Sequence, residues 1–277
     1  MALSLMEPEF PELSGPYLGQ SPPGNTPELF APGIISTCTQ HSSAYFTPDA
    51  REVFFSRLLP KPSVIMHMKE VNGRWTQPSV LCEGLTPGLS PDGNTLIAGY
   101  FSLEVLHRTA AGWSEPKDLG PLINFQTRQD VPSLTNNGML YFSSSMGQKD
   151  GTYKAQPAIN GYERPEKLDL GNPSPGKDHA GYIAPDESYL IFMSTRPGYG
   201  ITDLFITFRR NDGSWSPPKN MGPRINTQAK ENYPFVTFDG KYLFFMSNRI
   251  SKLNTKPIPD GPGNVYWMDA GIIDDFR

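Results

Sequence analysis

Apolar residues along this chain fall in short runs separated by turn residues, and they do not recur at helical spacing. The clearest run reads Phe46-Thr-Pro-Asp-Ala-Arg-Glu-Val-Phe-Phe-Ser, and it returns as Leu89-Ser-Pro-Asp-Gly-Asn-Thr-Leu-Ile-Ala-Gly. A third copy, one residue shorter, is Leu134-Thr-Asn-Asn-Gly-Met-Leu-Tyr-Phe-Ser. The fourth and fifth are Ile183-Ala-Pro-Asp-Glu-Ser-Tyr-Leu-Ile-Phe-Met-Ser and Val236-Thr-Phe-Asp-Gly-Lys-Tyr-Leu-Phe-Phe-Met-Ser. Each copy is a short apolar strand, a Pro-Asp-Gly-like turn and a second, more apolar strand, which predicts a hairpin. The anchors Asp49, Asp92, Asn137, Asp186 and Asp239 are spaced by 43, 45, 49 and 53 residues, so the period is that of a repeat fold.

A second signature runs out of phase with the first. Trp75-Thr-Gln-Pro, Trp113-Ser-Glu-Pro, Tyr162-Glu-Arg-Pro and Trp215-Ser-Pro-Pro each follow a Gly-containing turn and precede the next anchor. One such aromatic per period reads as packing between repeats. Between the two signatures lies a third strand, as in Ser63-Val-Ile-Met-His-Met and Asp203-Leu-Phe-Ile-Thr-Phe. Four strands per period make one propeller blade. The fold class is therefore all-β, a five-bladed β-propeller of four-stranded blades.

Four aromatic-Pro signatures serve five hairpins, so one outer strand is missing, and after Asn264-Val-Tyr-Trp-Met-Asp the chain ends without it. Pro27-Glu-Leu-Phe-Ala-Pro-Gly-Ile-Ile-Ser matches Pro116-Lys-Asp-Leu-Gly-Pro-Leu-Ile-Asn in type and register. Residues near 27–31 are thus expected to supply the outer strand of the blade formed by residues near 231–269. Closing the ring with this N-terminal strand removes an exposed sheet edge. In domain terms, residues 1–26 are an N-terminal extension and 27–277 a single propeller.

Composition adds limits. With 26 Gly and 29 Pro beside 12% aromatics, turns and short strands dominate. A net charge of −4 with scattered basic residues leaves no footprint for nucleic acid. No run reaches the ~18 apolar residues of a membrane span, and the first ten residues lack the basic start and apolar core of a signal peptide. Cys38 and Cys82 read as two ordinary thiols, with a single bridge as the alternative.

The Ser-Pro-Asp-Gly-x-x-Leu-x-Phe-x-Ser core, together with Ser194-Thr-Arg-Pro-Gly-Tyr-Gly-Ile-Thr-Asp-Leu-Phe, resembles the WD-like propeller repeats of bacterial TolB-type proteins from about residue 27 to 270. The resemblance implies an extracytoplasmic (periplasmic or secreted) protein. Many such proteins carry a second, assembling domain that this sequence does not show. The repeat departs from the pattern at Asn136-Asn137, in place of Pro-Asp, and at Phe238, in place of Pro.

Candidate chemistry follows from the anchors. Eight positions upstream lie His41, Gly84, Gln129, Asp178 and Glu231, and seven upstream lie Ser42, Leu85, Asp130, His179 and Asn232. Neighbours on a strand face opposite ways, so one set points toward the channel in a given blade. Either set offers carboxylate, imidazole and amide groups at one channel mouth. A divalent metal (Ca, Zn or Mn) would draw on His41, Asp130, Asp178 and Glu231. Asp178, His179 and Glu231 would serve as bases or proton carriers, and Ser42, Gln129 and Asn232 would contact ligand. Removing Asp178 or Glu231 is expected to spare the fold, since both would stand in water.

That arrangement supports a metal-assisted hydrolase of an ester, lactone or phosphoester. The alternative is a non-catalytic module binding a small molecule, glycan or protein. The expected partner is a small-molecule or glycan ligand at the mouth, with the propeller a monomer. His67 and His107, on third strands, read as surface or packing residues. Arg57, Arg196 and Arg249, which recur after the second strand, read as ties between blades, and Gly198-Tyr-Gly reads as a turn.

Overall fold

The computed structural model describes residues 10–37, 44–57, 62–126, 128–145, 150–170, 177–250 and 263–277. Five of its antiparallel sheets are arranged as blades, and Pro157–Ala158 pairs with Gly161–Tyr162 in a separate two-stranded sheet. Blade 1 runs from the axis outward as Ala44–Phe46, Glu52–Arg57, Val64–Val71 and Ser79–Glu83. Blade 2 is Thr86–Leu89, Thr95–Gly99, Leu103–Thr109 and Lys117–Asp118. Blade 3 is Arg128–Leu134, Leu140–Ser145, Gly151–Ala155 and Glu166–Lys167. Blade 4 is Asp178–Ile183, Tyr189–Ser194, Asp203–Phe208 and Lys219–Asn220. Blade 5 takes Glu231–Val236, Tyr242–Ser247 and Asn264–Asp269 from the C-terminal part of the chain. Its fourth strand is Glu28–Leu29, paired to Trp267 and Tyr266, as the strand count requires.

The repeat anchor has a local cause. The side-chain oxygen of each anchor accepts a hydrogen bond from the backbone N–H two residues on: Arg51, Asn94, Met139, Ser188 and Lys241, at 3.0–3.3 Å. The residue after each anchor takes a positive φ and donates its N–H to the residue that precedes the turn's Pro-Asp or equivalent pair. This is a type I turn followed by a left-handed residue, the three-residue-loop hairpin of twisted strands. Gly fills that position in three blades, while Ala50 (φ 54°) and Glu187 (φ 60°) accept the strain in the other two.

Two of the once-per-blade aromatics pack between blades, while Trp75 meets Phe46 of its own blade. Trp113 meets Phe54 of blade 1 edge-on at 5.5 Å, and Trp215 joins a cluster with Tyr141 of blade 3 and Phe192 and Phe205 of blade 4. Blades are also tied by charge. Arg108 of blade 2 donates to Glu52 of blade 1 at 2.5 Å, and the other oxygen of Glu52 lies 2.8 Å from His67 Nε2. His67 stacks flat on Phe54, the packing role read for it.

The extension is not a separate appendage. Tyr17 inserts its ring among Phe46, Tyr242 and Trp267, and Leu18 is buried. Trp75 donates to the carbonyls of Leu13 and Gly15, and Gln20 brackets the closing strand through Leu29 and Ala31. At the other end, the 3-10 segment Ala270–Phe276 buries Ile272 and Ile273 and reaches blade 4 through Lys219 and Arg224. Both ends of the described chain thus fasten the seam.

Near the axis the innermost strands approach closely. A Cβ on Gly88 would lie 2.2 Å from the Pro132 carbonyl of the next blade, and one on Gly181 would lie 2.8 Å from Pro234 Cγ. Only glycine leaves room for these contacts, so the ring is tight at this level. Among the described residues no helix is long and apolar enough to cross a membrane. Cys82 is a buried free thiol, and Cys38 lies outside the described residues.

Candidate functional site

Three innermost strands carry a bulge just after the candidate positions: between Asp130 and Ser133, between His179 and Tyr182, and between Asn232 and Phe235. Val131 and Tyr233, within two of these bulges, hold φ of 53° and 54°. A β-branched residue in the left-handed region is an outlier, and such strain concentrates at functional positions. The bulges are bonded to neighbouring blades, with Val131 N–H donating to Thr86 Oγ1 at 2.8 Å and Ala180 N–H to Ser143 Oγ at 2.6 Å.

The two candidate sets have different surroundings. In the set eight upstream, Asp178 accepts from Ser194 at 2.7 Å and from Arg196 at 3.1 and 2.6 Å. Glu231 is fully buried and accepts from Thr227 N–H and Oγ1, from Ser247 Oγ and from Arg249, at 2.8–3.3 Å. Arg196 lies over Phe192 and Phe205, and Arg249 over Phe245 and Tyr266. These two arginines neutralise carboxylates of their own blade, where ties between blades were expected. Arg57 of blade 1 does reach across the seam, donating to the Ile34 carbonyl beside the closing strand of blade 5. Glu231 therefore does not stand in water, which corrects the expectation that its removal would spare the fold. Gln129 holds the equivalent place in blade 3, fully buried, with neither amide atom hydrogen-bonded among the described residues.

The set seven upstream meets across blades. Asp130 and His179 lie within each other's electrostatic reach. Asp130 is buried and accepts from Arg128 Nε at 2.8 Å through Oδ2, while Oδ1 has no hydrogen-bond partner among the described residues. Burial pushes the Asp130 carboxyl up, opposed by Arg128 and His179. Burial holds the His179 imidazole below its ordinary value, opposed by Asp130. Arg128 lies 5.4 Å over the Tyr100 ring of blade 2, and Tyr233 of blade 5 shares the field, its phenol pushed up to about 12 by burial and Asp130. Asn232 is half-buried, paired across its hairpin with Met246.

Blades 2, 3, 4 and 5 thus contribute Tyr100, Arg128 with Asp130, His179 and Tyr233 to one cluster. Tyr100, Arg128 and Tyr233 were missed in sequence. Arg128 sits one position beyond the aligned window, and Tyr100 closes a hairpin tip that carries no motif.

Among the described residues no three His, Cys, Asp or Glu side chains lie together so as to hold a metal ion. His41 and Ser42 lie outside the described residues. Of the four residues expected to bind metal, Asp178 and Glu231 are committed to their own arginines, and Asp130 to Arg128.

No protein-family model matches the chain, and no curated protein matches it. Among solved structures it is similar to TolB from Acinetobacter baumannii, at 13% identity and a TM-score of 0.52, over 84% of this chain and 57% of that one. It is also similar to a protein assigned as TolB from Agrobacterium tumefaciens, at 14% identity and a TM-score of 0.53, over 83% and 77% of the two chains. The chain thus spans little more than half the length of the first of these, and at this identity the likeness is one of fold.

Proposed function

We propose that this propeller is a non-catalytic binding module that receives an acidic ligand, of the uronate-bearing glycan type, at its channel mouth. The observation that carries this reading is the setting of Arg128. Asp130 holds its Nε and the Tyr100 ring lies against its plane, while its two terminal nitrogens have no partner among the described residues. A guanidinium fixed in this way keeps its outer edge free for two parallel hydrogen bonds to a carboxylate. The carboxylates that hydrolysis would need are meanwhile occupied by arginines. A monomeric, extracytoplasmic protein is part of the same proposal and rests on the repeat's resemblance to TolB-type proteins.

The test is binding of uronate-bearing and neutral oligosaccharides to the wild type and to Arg128→Ala. In parallel, hydrolysis of activated esters and phosphotriesters is assayed with added calcium, zinc or manganese. Retention of acidic sugars that falls at least tenfold in Arg128→Ala, with no turnover, is the expected result. Turnover that disappears in His179→Ala would restore the hydrolase reading.

A further inference from the structure

Blade 2 differs from the others where its second strand passes to its third. Residues 100–102 make this connection in three residues, against six (58–63), five (146–150), eight (195–202) and sixteen (248–263) in blades 1, 3, 4 and 5. The short tip opens a gap in the rim. A cavity of about 300 Å³ fills it between blades 1 and 2, lined by Ser63, Glu83, Ala98, Tyr100, Phe101 and Glu104 among others.

The lining combines two kinds of group. Tyr100 and Phe101 form an aromatic corner with ring centroids 4.2 Å apart, and Phe101 is 60% exposed. Glu104 pairs directly with Ala98 across the sheet, so it faces the same side as this wall residue. Glu83 ends the outer strand of blade 1 and is exposed. Neither glutamate has an ion pair among the described residues, whereas Glu52 of blade 1 pairs with both His67 and Arg108. On its other flank Glu104 pairs with Asp118, a second acid, and like charges directly opposite one another destabilise a sheet. Arg128 lies over Tyr100 and is tied to Asp130. The gap therefore brings together, among the described residues, two carboxylates outside any ion pair and the exposed ring of Phe101. That pairing suits an organic monocation, whose charge the glutamates meet and whose weakly hydrated body the rings cover.

We infer that the cavity between blades 1 and 2 binds an alkylammonium or guanidinium group, held by Glu83 and Glu104 and covered by Phe101. This site shares Tyr100 with the Arg128 cluster, but its charge comes from Glu83 and Glu104, which lie outside that cluster, so it does not rest on the channel-mouth reading. The cation could come from a free quaternary amine or from a basic side chain, and both present the same chemistry.

The experiment titrates full-length protein calorimetrically with choline and with Nα-acetyl-arginine methylamide. The neutral analogues 3,3-dimethylbutanol and Nα-acetyl-citrulline methylamide serve as controls. Saturable binding of at least one cation is expected, with no binding of its neutral analogue. The double variant Glu83→Gln/Glu104→Gln should weaken it at least tenfold, and Phe101→Ala several-fold. Retention of uronate-bearing sugars should be the same in Glu83→Gln/Glu104→Gln as in wild type, which separates this site from the acidic-ligand proposal. Choline alone would identify a free amine, and the arginine derivative alone a side chain. The double variant should melt no lower than wild type, because it relieves repulsion, so lost binding would not reflect unfolding. No saturable binding of either cation up to about 10 mM would overturn the inference. Equal binding by wild type and the double variant would overturn it too.

Discussion

The hydroxyl of Ser36 accepts a hydrogen bond from the N–H of Val265 at 3.0 Å and donates to the carbonyl of the same residue at 3.3 Å, across 229 positions of sequence. Asn124 clips Leu103 in the same way, and Asn226 clips Leu204, each at 2.8–3.1 Å. The seam of the ring is thus built like an ordinary blade edge, with Ser in place of Asn. Beside it Phe30 is fully buried, edge-on to Phe46, Phe244 and Trp267.

Ser36→Ala leaves both polar groups of Val265 without this buried partner, a loss of about 1–3 kcal/mol. Phe30→Ala removes the wedge of the seam and costs about 3–5 kcal/mol. Deleting residues 1–36 removes the strand altogether and should give aggregation on expression. Urea midpoints of the two point variants check the order. A truncated protein that melts with wild type would mean that the seam closes some other way.

Glu231→Ala removes the fully buried carboxylate that neutralises the mostly buried Arg249, and about 3 kcal/mol of stability should go with it. Glu231→Gln keeps most acceptors and should cost less. Thermal melts separate the two, and a Glu231→Ala protein with wild-type stability would contradict the buried pair.

Ala50 occupies the left-handed turn position that Gly93, Gly138 and Gly240 fill elsewhere. Relief of the Cβ clash outweighs the added freedom of the unfolded chain, so Ala50→Gly should gain about 0.5–1 kcal/mol. In differential scanning calorimetry this is a rise of about 1–4 °C. A fall would show that the turn does not hold the strain its φ implies.

Glu52 is a pH lever between blades. Burial would raise its pKa, but hydrogen bonds from His67 and Arg108 outweigh burial and lower it to about 2, against an ordinary 4.5. Because the folded pKa lies below the unfolded one, the contribution is complete above about pH 4.5 and is lost as pH falls toward 2. Wild type should therefore lead Glu52→Gln in melting temperature at neutral pH, and the gap should close across that window. A gap that is constant from pH 6 to pH 2 would contradict the assignment.

The sequence by itself determined the blades and their closure, because the forces behind them are local. An Asp or Asn that caps its own turn two residues on needs no distant partner, so the anchors at Asp49, Asp92, Asn137, Asp186 and Asp239 could be counted directly. The missing outer strand followed from that count, and Ser36 sits where the Asn124 register puts it. Alternation along a strand left open which of two neighbours, Asp130 or Gln129, Asp178 or His179, would meet its counterparts across the ring. Only the tertiary structure decided it. The bulges at Val131 and Tyr233 re-aim the strands, and Arg196 and Arg249 claim Asp178 and Glu231 for their own blades. The cluster of Tyr100, Arg128, Asp130, His179 and Tyr233 joins residues tens of positions apart. The gap beside Phe101 lies where residues 100–102 join two strands in three residues, against a wall from blade 1. Neither carries a local pattern, since each depends on distances between blades that are fixed only once the ring has closed.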